Sequence, residues 1–152
     1  MTKPAFVYVT YIATTPEKAF NALIDPEMTK QYWVNHRNAS DWKVGSQWEH
    51  RDYDDASTVD IVGTVVESDP PRKLVVTWAF PSGGGESRVT YLIEPAYDLV
   101  RLTVTHDELE SGSEMEKGIT SGWPIVLSSL KSLLETGRAL PFTTTRDGWR
   151  HA

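Results

Sequence analysis

The chain contains no cysteine, which excludes disulfides, thiolate nucleophiles and Cys-bound zinc. It has only four histidines. They are scattered, and no His-Glu-x-x-His pair occurs, so no metal site is expected. No run approaches 18 apolar residues, so a membrane-spanning helix is not expected either. Cations are outnumbered: 15 Lys and Arg against 21 Asp and Glu give a net charge of -6. That balance argues against a nucleic-acid backbone or an anionic membrane surface as partner. Met1 to Phe6 lacks the apolar stretch of a signal peptide, and with the missing cysteine this makes the cytoplasm the expected location. Phosphate cradles are missing too. Gly83-Gly84-Gly85 is not followed by Lys-Ser/Thr, and His50-Arg51-Asp52 lacks the downstream asparagine of a kinase catalytic loop. No serine stands in a nucleophile-elbow context, and nothing calls for a cofactor.

Large aromatic side chains, by contrast, are abundant, with six tryptophans in 152 residues. Such side chains pack cores and also line pockets for apolar ligands. The clearest element is a helix over residues 113–137. Met115, Ile119, Trp123, Val126, Leu127, Leu130 and Leu134 recur at steps of three and four and share one face. Ser113 with Glu116 forms a capping box, and Gly137 is a natural stop. Twenty-three residues at 1.5 Å each make a rod of roughly 34 Å, which has to lie along a sheet. Pro124 cannot donate to the Thr120 carbonyl, so a kink or a restart is expected there.

Upstream, Phe6 to Ala13 is a β run. Thr15 caps a helix that begins at Pro16, and Asp25-Pro26 repeats the signal for a short second helix to about Gln31. Strands then follow over residues 38–43, 47–53, 58–67 and 72–80, the next carrying Ser87, Val89, Tyr91 and Ile93 inward, and the last over 99–106. The order is β-α-α-β(5-6)-α, with no βαβ alternation, so the sheet is expected to be antiparallel and, by twisting, to curve around the final helix. Residues 1–140 are read as one domain and 141–152 as a tail, with Phe142 or Trp149 as its candidate anchors.

Four stretches in this order resemble the START-like (SRPBCC) superfamily. Thr14-Thr15-Pro16-Glu17-Lys18-Ala19-Phe20 resembles its opening strand-to-helix step. Trp42-Lys43-Val44-Gly45-Ser46-Gln47-Trp48 is similar to its glycine turn, with Ser46 replacing one glycine. The run from Gly63 through Asp69-Pro70-Pro71 to Trp78 and the helix from Gly122-Trp123 to Leu134 complete the set. The branch most resembled is that of homologues of the C-terminal domain of the activator of heat-shock protein 90 ATPase. The resemblance implies an α+β helix-grip (START-like/Bet v-like) fold: a curved antiparallel sheet of six to seven strands around the long C-terminal helix, enclosing a cavity. It implies that Trp33, Trp48, Trp78 and Trp123 line that cavity with Tyr91 opposite. Trp42, beside a turn, is expected at an edge.

Alternation supplies the polar candidates. If Trp48 points inward, so do His50 and Asp52, and Leu102 and Val104 place His106 inward as well. Imidazole titrates near neutrality, so His50, Asp52 and His106 are candidates for acid–base or orienting roles, against ordinary satisfied polar residues. Arg88 and Arg101 are read as surface residues. The acidic group Asp107, Glu108, Glu110, Glu114 and Glu116 is read as a solvated loop and helix start.

Three functions compete. The favoured one binds a small hydrophobic or aromatic molecule through Trp33, Trp48, Trp78, Tyr91, His106, Trp123 and Leu127. A cyclase- or hydrolase-like enzyme is the second and a co-chaperone-like interaction module the third. A homodimer is left open, and a chaperone partner has no support in the residues themselves.

Overall fold

The structure is a computed structural model that describes residues 4–141 apart from Ala56 and Gly84. Residues 142–152, which hold most of the expected tail with Phe142 and Trp149, lie outside the described residues.

Seven strands form one antiparallel sheet: β1 (Phe6–Ile12), β2 (His36–Ser40), β3 (Gln47–Asp52), β4 (Val59–Asp69), β5 (Lys73–Trp78), β6 (Ser87–Ala96) and β7 (Leu99–Asp107). Their spatial order is β1-β7-β6-β5-β4-β3-β2, a meander from β2 to β7 with β1 returning beside β7. Short turns between alternating strands leave no other economical pairing. Register shifts at His50/Arg51 and between Val65 and Glu67 bend the β3–β4–β5 region. Two helices, α1 (Pro16–Ile24) and α2 (Pro26–Tyr32), connect β1 to β2, and α3 (Glu114–Thr136) closes the fold. This is the α+β helix-grip architecture, with β2 centred on residues 36–40 and not 38–43.

The helix ends follow from the caps. Thr15 Oγ1 accepts from Lys18 N (3.2 Å), Asp25 Oδ1 from Glu27 N (2.9 Å) and Ser113 Oγ from Glu116 N (3.1 Å). Glu116 reaches back to Gly112 N (2.7 Å), one residue earlier than a standard capping box, because Ser113 N is already bonded to Glu110 O. Gly137 ends α3 at φ 83°, where its lack of a Cβ removes the penalty, and its N–H returns to Leu133 O. The helix continues through Pro124 without a restart. The carbonyl freed by Pro124 belongs to Thr120, an exposed residue.

The core is continuous. Ile119, Trp123, Val126, Leu127, Leu130 and Leu133 of α3 meet the inward residues of β4 to β7, among them Val65, Leu74, Val76, Val89, Tyr91, Ile93, Leu102 and Val104. Lys131 Nζ donates to Tyr11 O (2.5 Å) and Glu135 accepts from Ala13 N (2.8 Å), which ties the C-terminal half of α3 to β1. The acidic loop is not wholly solvated: Leu109 within it is fully buried and pins it to the core. Arg88 is exposed, and Arg101 pairs with Glu94 on the outer face (2.7 Å). Trp42 is half-buried and stacks on Trp48 (6.4 Å).

Candidate functional site

The C-terminal half of α3 packs tightly, but its N-terminal half stands off from the sheet. Residues Glu114, Met115, Gly118, Ile119, Gly122, Trp123 and Val126 of α3 face an open cleft of about 310 Å³. Opposite them lie Trp33 and Val34 after α2, His36 on β2, His50 on β3, Asp60 and Ile61 on β4, Trp78 on β5, and Phe80 at the mouth. The room has a simple origin. Gly118 and Gly122 stand four residues apart, on one face of the helix. A Cβ at Gly118 would have nothing within 4 Å.

One wall is aromatic. The rings of Trp33, Trp78 and Trp123 form a triangle with centroid separations of 5.9, 5.3 and 5.3 Å. Trp48 backs this wall, 5.7 Å from Trp78, with its Nε1 donating to Thr77 O (2.8 Å). Tyr91 meets Trp123 edge-on at 6.0 Å. Each ring leans on at least one other, so the wall is pre-organised.

The other wall is polar. His36 and His50 stack face to face, 4.4 Å apart and 10° from parallel. His36 Nδ1 donates to Val34 O (2.7 Å), and its Nε2 shares a short hydrogen bond with Asp60 Oδ2 (2.5 Å). Val34 is held at φ 51°, rare for a β-branched residue, which turns its carbonyl onto this ring. His50 is held by a side-chain amide. Its Nδ1 lies 2.6 Å from Asn38 Oδ1, an acceptor, so the proton sits on Nδ1. Burial, and then the charge of His36, hold the His50 pKa well below its ordinary 6.5. His50 is therefore neutral near pH 7, with a lone pair at Nε2.

His106 lies behind the aromatic wall and does not line the cleft. It is fully buried. Trp123 Nε1 donates to its Nδ1 (3.1 Å), its Nε2 donates to Ser87 Oγ (2.7 Å), and Ser87 donates to Trp78 O (3.3 Å). Each of these three donors has an acceptor, and burial lowers the His106 pKa to about 4. The relay fixes the Trp123 ring and ties it through β7 and β6 to the Trp78 carbonyl on β5.

The expected site residues therefore separate. Trp33, Trp78, Trp123 and His50 line the cleft, whereas Trp48, Tyr91, His106 and Leu127 sit one layer deeper. Asp52 ends β3 and accepts from Asp54 N (2.9 Å) and Asp55 N (3.1 Å), so it shapes a turn. His50, Asp52 and His106 do not converge on one point in the cleft. His36, Asp60 and Asn38 were not anticipated. The available signal was alternation, since His36 and Asn38 face one way on β2 and register pairs them with Asp52 and His50. Among the described residues no group of three or more His, Asp or Glu side chains is placed to hold a metal ion, and no helix is long and apolar enough to cross a membrane.

No curated protein matches the chain. Among solved structures it is similar to the Aha1 dimer from Colwellia psychrerythraea, at 21% identity and a TM-score of 0.75, covering 90% of this chain and 99% of that one. It is similar to PFC0360w, an HSP90 activator from Plasmodium falciparum (21%, TM-score 0.72, 86% and 95% covered). It also resembles CalU16 from Micromonospora echinospora (17%, TM-score 0.73, 98% and 83% covered). At these identities the likeness is one of fold. The family described as activator of Hsp90 ATPase homolog 1-like protein matches residues 13–135. The chain belongs to that family.

Proposed function

We propose that the protein binds a small, flat, largely apolar molecule in the cleft between the N-terminal half of α3 and the sheet. The observation that carries this reading is the triangle of Trp33, Trp78 and Trp123, largely buried rings that line about 310 Å³ of open space. The volume lies in the range of small-molecule sites, and the lining is mostly apolar with a few fixed polar groups.

The other readings have less behind them. Of the acid–base candidates only His50 lines the cleft, so an enzyme would have to work without Asp52 or His106. An interaction module would use Val7, Val9 and Tyr11, which face outward on edge strand β1. Nothing in the fold says what covers them. One of the similar structures is named an HSP90 activator and another a dimer, which supports the interaction reading at the level of fold only.

Equilibrium dialysis against naphthalene tests the binding reading. Saturable binding of one molecule per chain is expected. Gly118→Phe should weaken it at least tenfold, because the new ring has open cleft to enter and no backbone to displace. Gly118→Ala should leave binding close to wild type. Binding that survives Gly118→Phe unchanged would place the ligand elsewhere.

A further inference from the structure

We infer that the cleft selects a neutral aromatic molecule bearing a hydroxyl group, a phenol-class ligand whose O–H donates to His50 Nε2. This rests on the binding reading above and names the chemistry of its ligand.

The polar wall offers one unengaged group. Asn38 takes the Nδ1 proton of His50, which leaves Nε2 an acceptor. Nε2 has no protein partner among the described residues, yet it is not among the sealed, unsatisfied side-chain atoms, so it opens to the cleft that His50 lines. His36, stacked at 4.4 Å, opposes a second proton on His50. An acceptor that is kept an acceptor calls for a donor on the ligand.

The same wall disfavours an anion. No lysine or arginine lines the cleft, and both ring nitrogens of His36 are committed to Val34 and Asp60. Glu114 adds a carboxylate at the helix start. A ligand carboxylate would meet two carboxylates and the lone pair of His50, with no free charged donor. A phenol satisfies Nε2 with its O–H and lays its ring against Trp33, whose centroid is 5.0 Å from His50.

Isothermal titration calorimetry at neutral pH with three probes, naphthol, its methyl ether and naphthoate, each substituted at the same ring position, tests the assignment. Naphthol should bind roughly tenfold tighter than the ether, which leaves Nε2 unpaired, and naphthoate should bind weakest. His50→Phe should bring naphthol and the ether together while retaining affinity for both. Should that variant fail to fold, nitrogen NMR of the wild-type imidazoles answers the same question: naphthol should move the His50 Nε2 resonance and the ether should not. Equal affinity for naphthol and ether, a preference for naphthoate, or an unmoved Nε2 resonance overturns the assignment and leaves the binding reading standing. Absence of binding by all three overturns the binding reading and the assignment with it.

Discussion

Gly63→Ala is expected to destabilise the fold by about 3 kcal/mol or more, the largest effect of a single added methyl group. The cause is space and not conformational freedom. A Cβ at Gly63 would stand 1.8 Å from Thr77 O and 2.4 Å from Trp48 Nε1. Those two atoms are hydrogen-bonded to each other at 2.8 Å across the glycine. The strands are held around this point by the Val62–Ala79 bridge and by Thr64 N donating to Thr77 Oγ1 (2.9 Å). Thr77 cannot withdraw without breaking its joins to β4, nor Trp48 without breaking its bond from β3 to β5. Trp48 supports Trp78, so naphthalene affinity should fall along with stability. Urea denaturation reads the first effect. A loss under about 1 kcal/mol would mean that the crossing of Trp48 over Gly63 is not fixed. Gly118→Ala is the control, expected to stabilise the helix by about 0.5–1 kcal/mol, since its Cβ meets open space.

Acidification should have an effect of similar size. His106 has a folded pKa of about 4, below its ordinary 6.5. The unfolded chain therefore binds the proton more readily. The stability this confers is complete above about pH 6.5 and is lost as the pH falls towards 4. A shift of that size corresponds to roughly 3 kcal/mol. His50 is shifted the same way and steepens the loss. The Glu135 carboxyl, held below its usual range by Lys131 and the Ala13 N–H, acts at the acid end of the window or beyond it. Protonated His106 can no longer accept from Trp123, so the relay opens at the ring that borders the cleft. Denaturant midpoints taken across this pH range should fall steeply for the wild type. His106→Leu should be weaker at neutral pH, because it strands Trp123 Nε1, but its pH dependence should be flatter. Parallel curves for the two proteins would remove His106 as the cause.

These residues also show what the sequence makes legible. Local signals were strong wherever chemistry and spacing coincide within one element. The periodicity of α3, the caps at Thr15, Asp25 and Ser113, and the alternation of Ser87, Val89, Tyr91 and Ile93 all lie in contiguous residues. The resemblance grouped Trp33, Trp48, Trp78 and Trp123 with Tyr91, and of these Trp48 and Tyr91 sit one layer behind the cleft. What was hidden depends on register between strands. Asn38 faces His50 only because β2 and β3 pair as they do. Asp60 reaches His36 from β4, across the intervening strand, at a separation of 24 residues. Alternation alone placed His106 inward, but inward had two meanings, the cleft or the layer behind it. Only the Trp123 and Ser87 bonds decide between them. Pro124 was expected to interrupt the helix because proline removes one bond. That the lost bond falls on exposed Thr120 is a fact of helix orientation.

The most direct measurement is a nitrogen–proton correlation spectrum of the tryptophan indoles during titration with naphthalene. The indole signals of Trp33, Trp78 and Trp123 should shift together and saturate at one equivalent, while that of Trp42, outside the cleft, stays in place. Shifts confined to Trp42, or no saturable shift of the other three, would contradict a ligand site under the first half of α3.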